Sequence, residues 1–159
     1  MATRQQSGIR VPDQFPSIHQ SSSEITLVPF VLRADGWNLQ DAFLAQQFKT
    51  IVEDKLLNVV FWHGGMGSLG DFIDFCKNER THLAFVVQGN QCAGFVWVTD
   101  VHHGYAFTHV CLYRWIWGNT QEIGQQAIDY WFSWQDHDGS ALLNTLIGIH
   151  PGFNKNVQG

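Results

Sequence analysis

The chain has 159 residues, 45% of them hydrophobic, with seven Trp, 12 Phe and a formal charge of −5. That length and apolar content describe one globular domain with a sizeable core and exclude a disordered chain. The acidic balance argues against nucleic acid as a partner, since phosphate backbones need clustered Lys and Arg. Neither a polybasic run nor an apolar run of spanning length occurs, so a soluble protein without a membrane partner is expected. Cys76, Cys92 and Cys111 are odd in number and widely spaced, which is not a disulfide framework, and the N-terminus carries no apolar signal core. A reducing, cytoplasmic setting follows as the expectation.

Residues 1–24 are polar, with Pro12, Pro16 and the Ser21-Ser-Ser23 run, and read as a flexible arm. Such an arm could dock on a protein partner or on a second copy in a homodimer. The pattern Ile25-Thr-Leu-Val-Pro-Phe-Val-Leu32 predicts a first strand, with Pro29 placing it at an edge or a break. Leu39 to Leu57 predicts a helix whose apolar stripe is Phe43, Leu44, Gln47 or Phe48, Ile51 and Leu56. Trp62-His-Gly-Gly-Met-Gly-Ser68 is a glycine-rich loop, but its spacing is not that of a P-loop and no Lys-Ser/Thr follows. It reads as a connection or lid. Ser68 is placed to cap a short helix through Asn78, with Leu69, Phe72, Ile73 and Cys76 inward.

Two strands follow, Thr81 to Gln88 and Gln91 to Val101, joined by Gly89-Asn90 as a tight hairpin turn. After His102-His103-Gly104 a third strand runs from Tyr105 to Leu112, then an aromatic knot, Tyr113-Arg-Trp-Ile-Trp117, and a turn, Gly118-Asn119-Thr120. Gln121 to Trp134 predicts a helix, with Asn119 as its N-cap and Glu122 in the capping-box place. A strand entering a glycine turn and a fresh helix start leaves amides without partners, a setting that suits a phosphate. Leu142 to His150 is a last strand, and Pro151 to Val157 opens a helix that stops within its first turns, which suggests a longer natural protein.

His109 shares a strand face with Tyr105, Phe107 and Cys111, and its titration range suits a general base. The plainer reading is a histidine without chemistry. His102, His103, His109 and Asp100 show no recurring ligand spacing, so no metal is expected. Cys111 as an acyl-accepting nucleophile would need a cationic neighbour. Trp115, Trp117, Trp131 and Trp134 read as core before ligand cage.

The order strand, helix, helix, hairpin, strand, helix, strand, helix start resembles the GNAT superfamily of N-acetyltransferases from about Ile25 onward. Val86-Val-Gln-Gly-Asn-Gln-Cys-Ala-Gly-Phe-Val-Trp97 is similar to the family's hairpin, whose second strand opens with Gly-Phe. Leu146-Ile-Gly-Ile-His-Pro-Gly-Phe-Asn154 is similar to its last motif, in which an Asn contacts the cofactor. The resemblance implies an α+β acyl-CoA N-acyltransferase fold, with a central mixed, mostly antiparallel sheet flanked by helices. It also implies acetyl-CoA as co-substrate and a small-molecule or protein amine as acceptor. The backbone of Val110, Cys111 and Leu112 would then meet the pantetheine arm, Trp117, Gly118, Asn119, Thr120 and Gly124 the pyrophosphate, and Asn154 the cofactor.

The chain departs from the family at the phosphate loop. Either Gly118 is the loop glycine, with Trp117 in place of Arg or Gln, or Gly124 is the helix glycine, with Asn119 in that place and Glu122 in a glycine's. Glu122 would bring a carboxylate toward a pyrophosphate. The family's acidic residue earlier on the central strand is replaced by Ala106 and Phe107, and its late Tyr lies beyond residue 159. These departures carry the alternative, a catalytically degenerate GNAT-like binding or assembly module.

Overall fold

In the computed structural model, residues 24–31 and 37–148 are described. The predicted N-terminal arm, the helix start at 151–157 and Asn154 lie outside the described residues. Alternation of apolar side chains along two strands builds the centre. In β2 (His82–Gln88) and β3 (Gln91–Thr99), joined at Gly89 with φ +62°, Ala84, Val86, Val96 and Val98 face one side. Leu83, Phe85, Phe95 and Trp97 face the other. A strand buried on both faces must be covered on both faces.

β1 (Ile25–Pro29) pairs with β2 at the sheet edge, where Pro29 withholds no ladder hydrogen bond from an inner strand. β4 (Gly104–Leu112) pairs antiparallel with β3, and β5 (Leu143–Gly148) pairs parallel with β4, giving the five-stranded order β1-β2-β3-β4-β5. The architecture is α+β, a mixed and mostly antiparallel sheet flanked by helices, as the resemblance implies.

On one face lie α1 (Trp37–Glu53), α2 (Leu57–Val60) and α3 (Leu69–Lys77). Leu44, Ile51, Phe72 and Cys76 pack from them onto Phe85, Phe95 and Trp97. The long helix predicted over 39–57 ends at Glu53, because Lys55 turns left-handed (φ +59°) before α2 begins. Ser68 caps α3 as expected: its Oγ accepts from Asp71 N, and the Asp71 carboxylate accepts from Ser68 N, a complete capping box. α4 (Thr120–Phe132) covers the opposite face through Ile123, Ala127 and Trp131.

The entry to α4 corrects the expected glycine turn. Arg114–Asn119 form a 3-10 helix that runs directly into α4. Asn119 makes no side-chain cap, and no capping box forms with Glu122; instead the Thr120 hydroxyl donates back to Trp117 O at 2.6 Å. The cause is tertiary. The Trp117 indole Nε1 donates to Leu112 O at 2.8 Å, the Arg114 guanidinium lies 4.9 Å over the Trp117 ring, and Arg114 N and Nε each donate to Asp54, both at 2.9 Å. These contacts wind the aromatic knot into helix before the predicted start.

Candidate functional site

Among the described residues, pairing of β4 with β5 reaches Thr108 and Gly148, the last residue described, while β4 runs on to Leu112. Among the described residues no strand lies beside His109–Leu112 on that edge. Tyr113 N donates to Ala93 O on the β3 side, so by alternation the backbone of Val110 and Leu112 faces the other way, toward the β5 side. Val110, 54% exposed, presents both its N–H and its C=O there. At Leu112 the carbonyl is taken by the Trp117 indole, which leaves the N–H.

A cleft of about 960 Å³ opens at this edge. On the α4 side its wall includes Ile123, Gly124, Ala127 and Val110; on the α3 side it includes Phe61, Met66, Phe75 and Trp97. The described residues that line it come from both faces of the sheet.

Geometry at β3 and β4 depends on Gly94. Val86 pairs with Gly94 and Val87 with Cys92, so Ala93 is an extra residue and β3 bulges. Gly94 has φ +142°, and a Cβ there would run into the carbonyl oxygen of Cys111 and lie 2.9 Å from Leu112 Cα. Only glycine lets β3 press this closely on the end of β4 that lines the cleft. The Gly-Phe step singled out in the sequence has this physical cause.

His109 lies in the cleft wall, stacked on Trp97 with centroids 5.0 Å apart and planes within 11°. Its Nε2 is 3.2 Å from Thr99 Oγ1. Burial, and then repulsion from His63, hold its pKa below the ordinary histidine value, against a smaller opposing pull from Asp100. The ring is thus neutral at neutral pH and able to accept a proton.

The remaining sequence candidates divide. Thr120 and Gly124 line the cleft with Val110 and Leu112. Gly124 is exposed, and a methyl added to it would meet nothing within 4 Å. Trp117, Gly118 and Asn119 belong to the 3-10 helix and are not in the cleft wall. Cys111 is buried on the α1–α3 face; burial, then Cys92 and Asp54, push its thiol far above the usual range, which makes it a poor nucleophile. Trp131 and Trp134 are buried in the core, whereas Trp115 and Trp117 are exposed. Among the described residues no group of three or more His, Cys, Asp or Glu is placed to hold a metal, and no helix is long and apolar enough to cross a membrane.

Sequence reading missed four contributors: Trp97, which floors His109; Thr99, which meets its Nε2; and Asp71 and Asp74, which line the cleft from α3. Trp97 stands directly opposite His109 in the β3–β4 register, so cross-strand pairing was the signal that could have found it. Asp54, sixty residues from Arg114 in the chain, left no local signal at all.

No protein-family model and no curated protein sequence matches this chain. Among solved structures, "a possible acetyltransferase from Clostridium difficile 630" is similar over 84% of each chain, at 10% identity and a TM-score of 0.49.

Proposed function

We propose that this protein is an acetyl-CoA-dependent N-acetyltransferase that acylates a primary amine. The observation carrying this reading is the cleft at the β4 edge, lined by the His109 ring and by Val110, whose backbone is unpaired on that side among the described residues. A β-strand edge with one free N–H and C=O pairs with an amide-bearing arm as it would with a further strand. The Val110 and Leu112 amides, unpaired among the described residues, and the open space beside Gly124 fit such an arm entering from the α4 side. When bound, acetyl-CoA supplies the activated acyl group.

The chain's own residues supply the rest. An amide N–H on the β4 edge is fixed in place, so it donates to a developing oxyanion without reorganising. Neutral His109 accepts a proton from the incoming ammonium, and Thr99 fixes the ring by pairing with Nε2. The cleft that His109 and Val110 share holds amine and carbonyl in line, which is the contribution positioning makes.

A second reading, a binding module without transferase activity, is favoured by a specific observation. The helical run that would receive a pyrophosphate begins at Arg114, and the Asp54 carboxylate already accepts from its N–H. Glu122 stands exposed in the first turn of α4, and the Thr120 hydroxyl is committed to Trp117.

Calorimetry with acetyl-CoA, coupled to a thiol-release assay over a panel of amines, separates the two. The enzyme reading expects saturable binding and amine-dependent release, with His109→Gln keeping affinity and losing turnover about a hundred-fold or more. Wild-type protein that gives no heat, while Glu122→Gly binds, would establish the second reading instead.

A further inference from the structure

We propose that Trp97 is a positioning residue of the acetyl transfer: its indole face holds the imidazolium that forms when His109 takes a proton from the incoming ammonium. This deepens the transferase reading and rests on it for the source of that proton, but the contact belongs to the free protein and is measurable there. Trp97 on β3 and His109 on β4 are direct partners in the antiparallel register, so their side chains leave the same face of the sheet. Their ring planes lie within 11° of each other with centroids 5.0 Å apart, an offset stack. A cation within about 6 Å of an indole centroid is attracted by the negative face of the ring, and Trp does this best of the aromatic side chains.

The indole is held where it is. It is 4% exposed, stacks on Phe61 with centroids 5.8 Å apart, and meets Phe75 edge-on at 5.4 Å. Thr99, two residues along β3 and on the same face, lies 3.2 Å from His109 Nε2. One β3 side chain thus takes the face of the imidazole and the next takes its edge. A base must keep one nitrogen bare, so Nε2–H donates to the Thr99 oxygen and Nδ1 carries the lone pair. In the transfer the ammonium N–H bond breaks, the electron pair stays on the amine nitrogen, and the proton goes to Nδ1.

The groups around the ring show why such a hold is needed. Burial disfavours the imidazolium, His63 in the same cleft wall repels it, and Asp100 in the turn after β3 attracts it more weakly. Asp71 and Asp74, which also line the cleft, do not enter that balance. Among the described residues no carboxylate is hydrogen-bonded to the ring, so the indole face is the close favourable partner for the charge it acquires.

The test is an NMR titration of the His109 ring in the full chain, without thioester, comparing the wild type with Trp97→Phe and Trp97→Leu. Without the indole face the ring should release its proton more readily. Its acid dissociation constant is expected to rise about three-fold in Trp97→Phe, which keeps a weaker aromatic face, and about ten-fold in Trp97→Leu. A purely structural role predicts the opposite sign, because a smaller side chain admits water, relieves burial and lowers that constant. An unchanged or lowered constant in Trp97→Phe would overturn the assignment. If loss of so buried a ring unfolds the chain, the wild type decides: the Trp97 indole N–H resonance should titrate with the His109 midpoint, and an indole that ignores it would equally overturn the proposal. Thiol release keeps the two readings apart. In a transferase the acid limb of the kcat/KM profile of Trp97→Phe should move to lower pH by the same factor. Amine-dependent release with an unchanged constant keeps the transferase and removes Trp97; a raised constant without any release removes the transferase, and the catalytic role with it, while the stacked pair stands.

Discussion

Gly124 offers a perturbation in which stability and function should move in opposite directions. It sits in the interior of α4, where glycine is about 1 kcal/mol worse than alanine because its unfolded chain has more freedom to lose. A Cβ there would meet nothing within 4 Å, so no packing term opposes the gain. Gly124→Ala should therefore stabilise the fold by about 0.8–1 kcal/mol, which in a domain of this size raises the melting temperature by about 2–4 °C. The open space beside Gly124, however, belongs to the cleft. A methyl group pressed into an arm bound there costs about 1–3 kcal/mol, or roughly a five- to hundred-fold loss of acetyl-CoA affinity. Calorimetry for the ligand and thermal unfolding for the fold read the two effects separately. A variant that melts higher and binds acetyl-CoA as tightly as the parent would show that the glycine has no part in the site.

Gly94→Ala should behave oppositely, since the added methyl meets the backbone of Cys111 and Leu112 and the φ of +142° is strained for alanine. Overpacking and backbone strain together predict a loss of about 2–5 kcal/mol in urea unfolding, and a loss below about 0.5 kcal/mol would contradict the close approach of β3 to β4. Acid should also weaken the fold. Burial lowers the pKa of His82 and of His109, so below about pH 6.5 the unfolded chain takes up protons that the folded chain refuses. Stability is fully present above the unfolded histidine value and falls as pH drops from there toward the lower folded values. Unfolding midpoints measured between pH 7.5 and about 5 should decline, and His82→Gln should flatten part of the slope; a midpoint independent of pH would refute it.

Those parts of the fold set by neighbours in the chain were legible in its sequence. The β2–β3 hairpin is readable because alternation and Gly89 act over a few residues, and α3 because Ser68 and Asp71 close their box within one turn. The 3-10 helix was not, because the contacts that wind it lie elsewhere: Asp54 arrives from the end of α1, and the Leu112 carbonyl waits at the end of a strand. The same division holds in the site. His109 was named from its strand neighbours and Val110, Leu112, Thr120 and Gly124 from the family resemblance, and the fold brings all five to one cleft. Its α3 side was invisible, because Phe61 and Phe75 meet Trp97 across long stretches of chain, with no local pattern to announce it.

The closed helix entry changes where affinity for an acyl thioester must come from. A phosphate gains its hold from open amides and from cations, yet the first amide of the helical run is met by Asp54 and, among the described residues, the cleft wall contains no Lys or Arg. Among the described residues, what remains are the Val110 backbone groups, the Leu112 N–H and the apolar side of α4, all of which recognise an amide-bearing alkyl arm and none of which recognises a dianion. Removing the nucleotide half of the donor should then matter little. Acetyl-pantetheine, compared with acetyl-CoA by thiol release at matched ionic strength, should keep kcat/KM within about ten-fold, since only about 1 kcal/mol of screened charge interaction is given up. Raising the salt should not weaken acetyl-CoA, because repulsion by Asp54 and Glu122 is what salt screens. A thousand-fold preference for the full nucleotide, declining as salt rises, would mean that cations hold the phosphates, and the reasoning from Asp54 would be wrong.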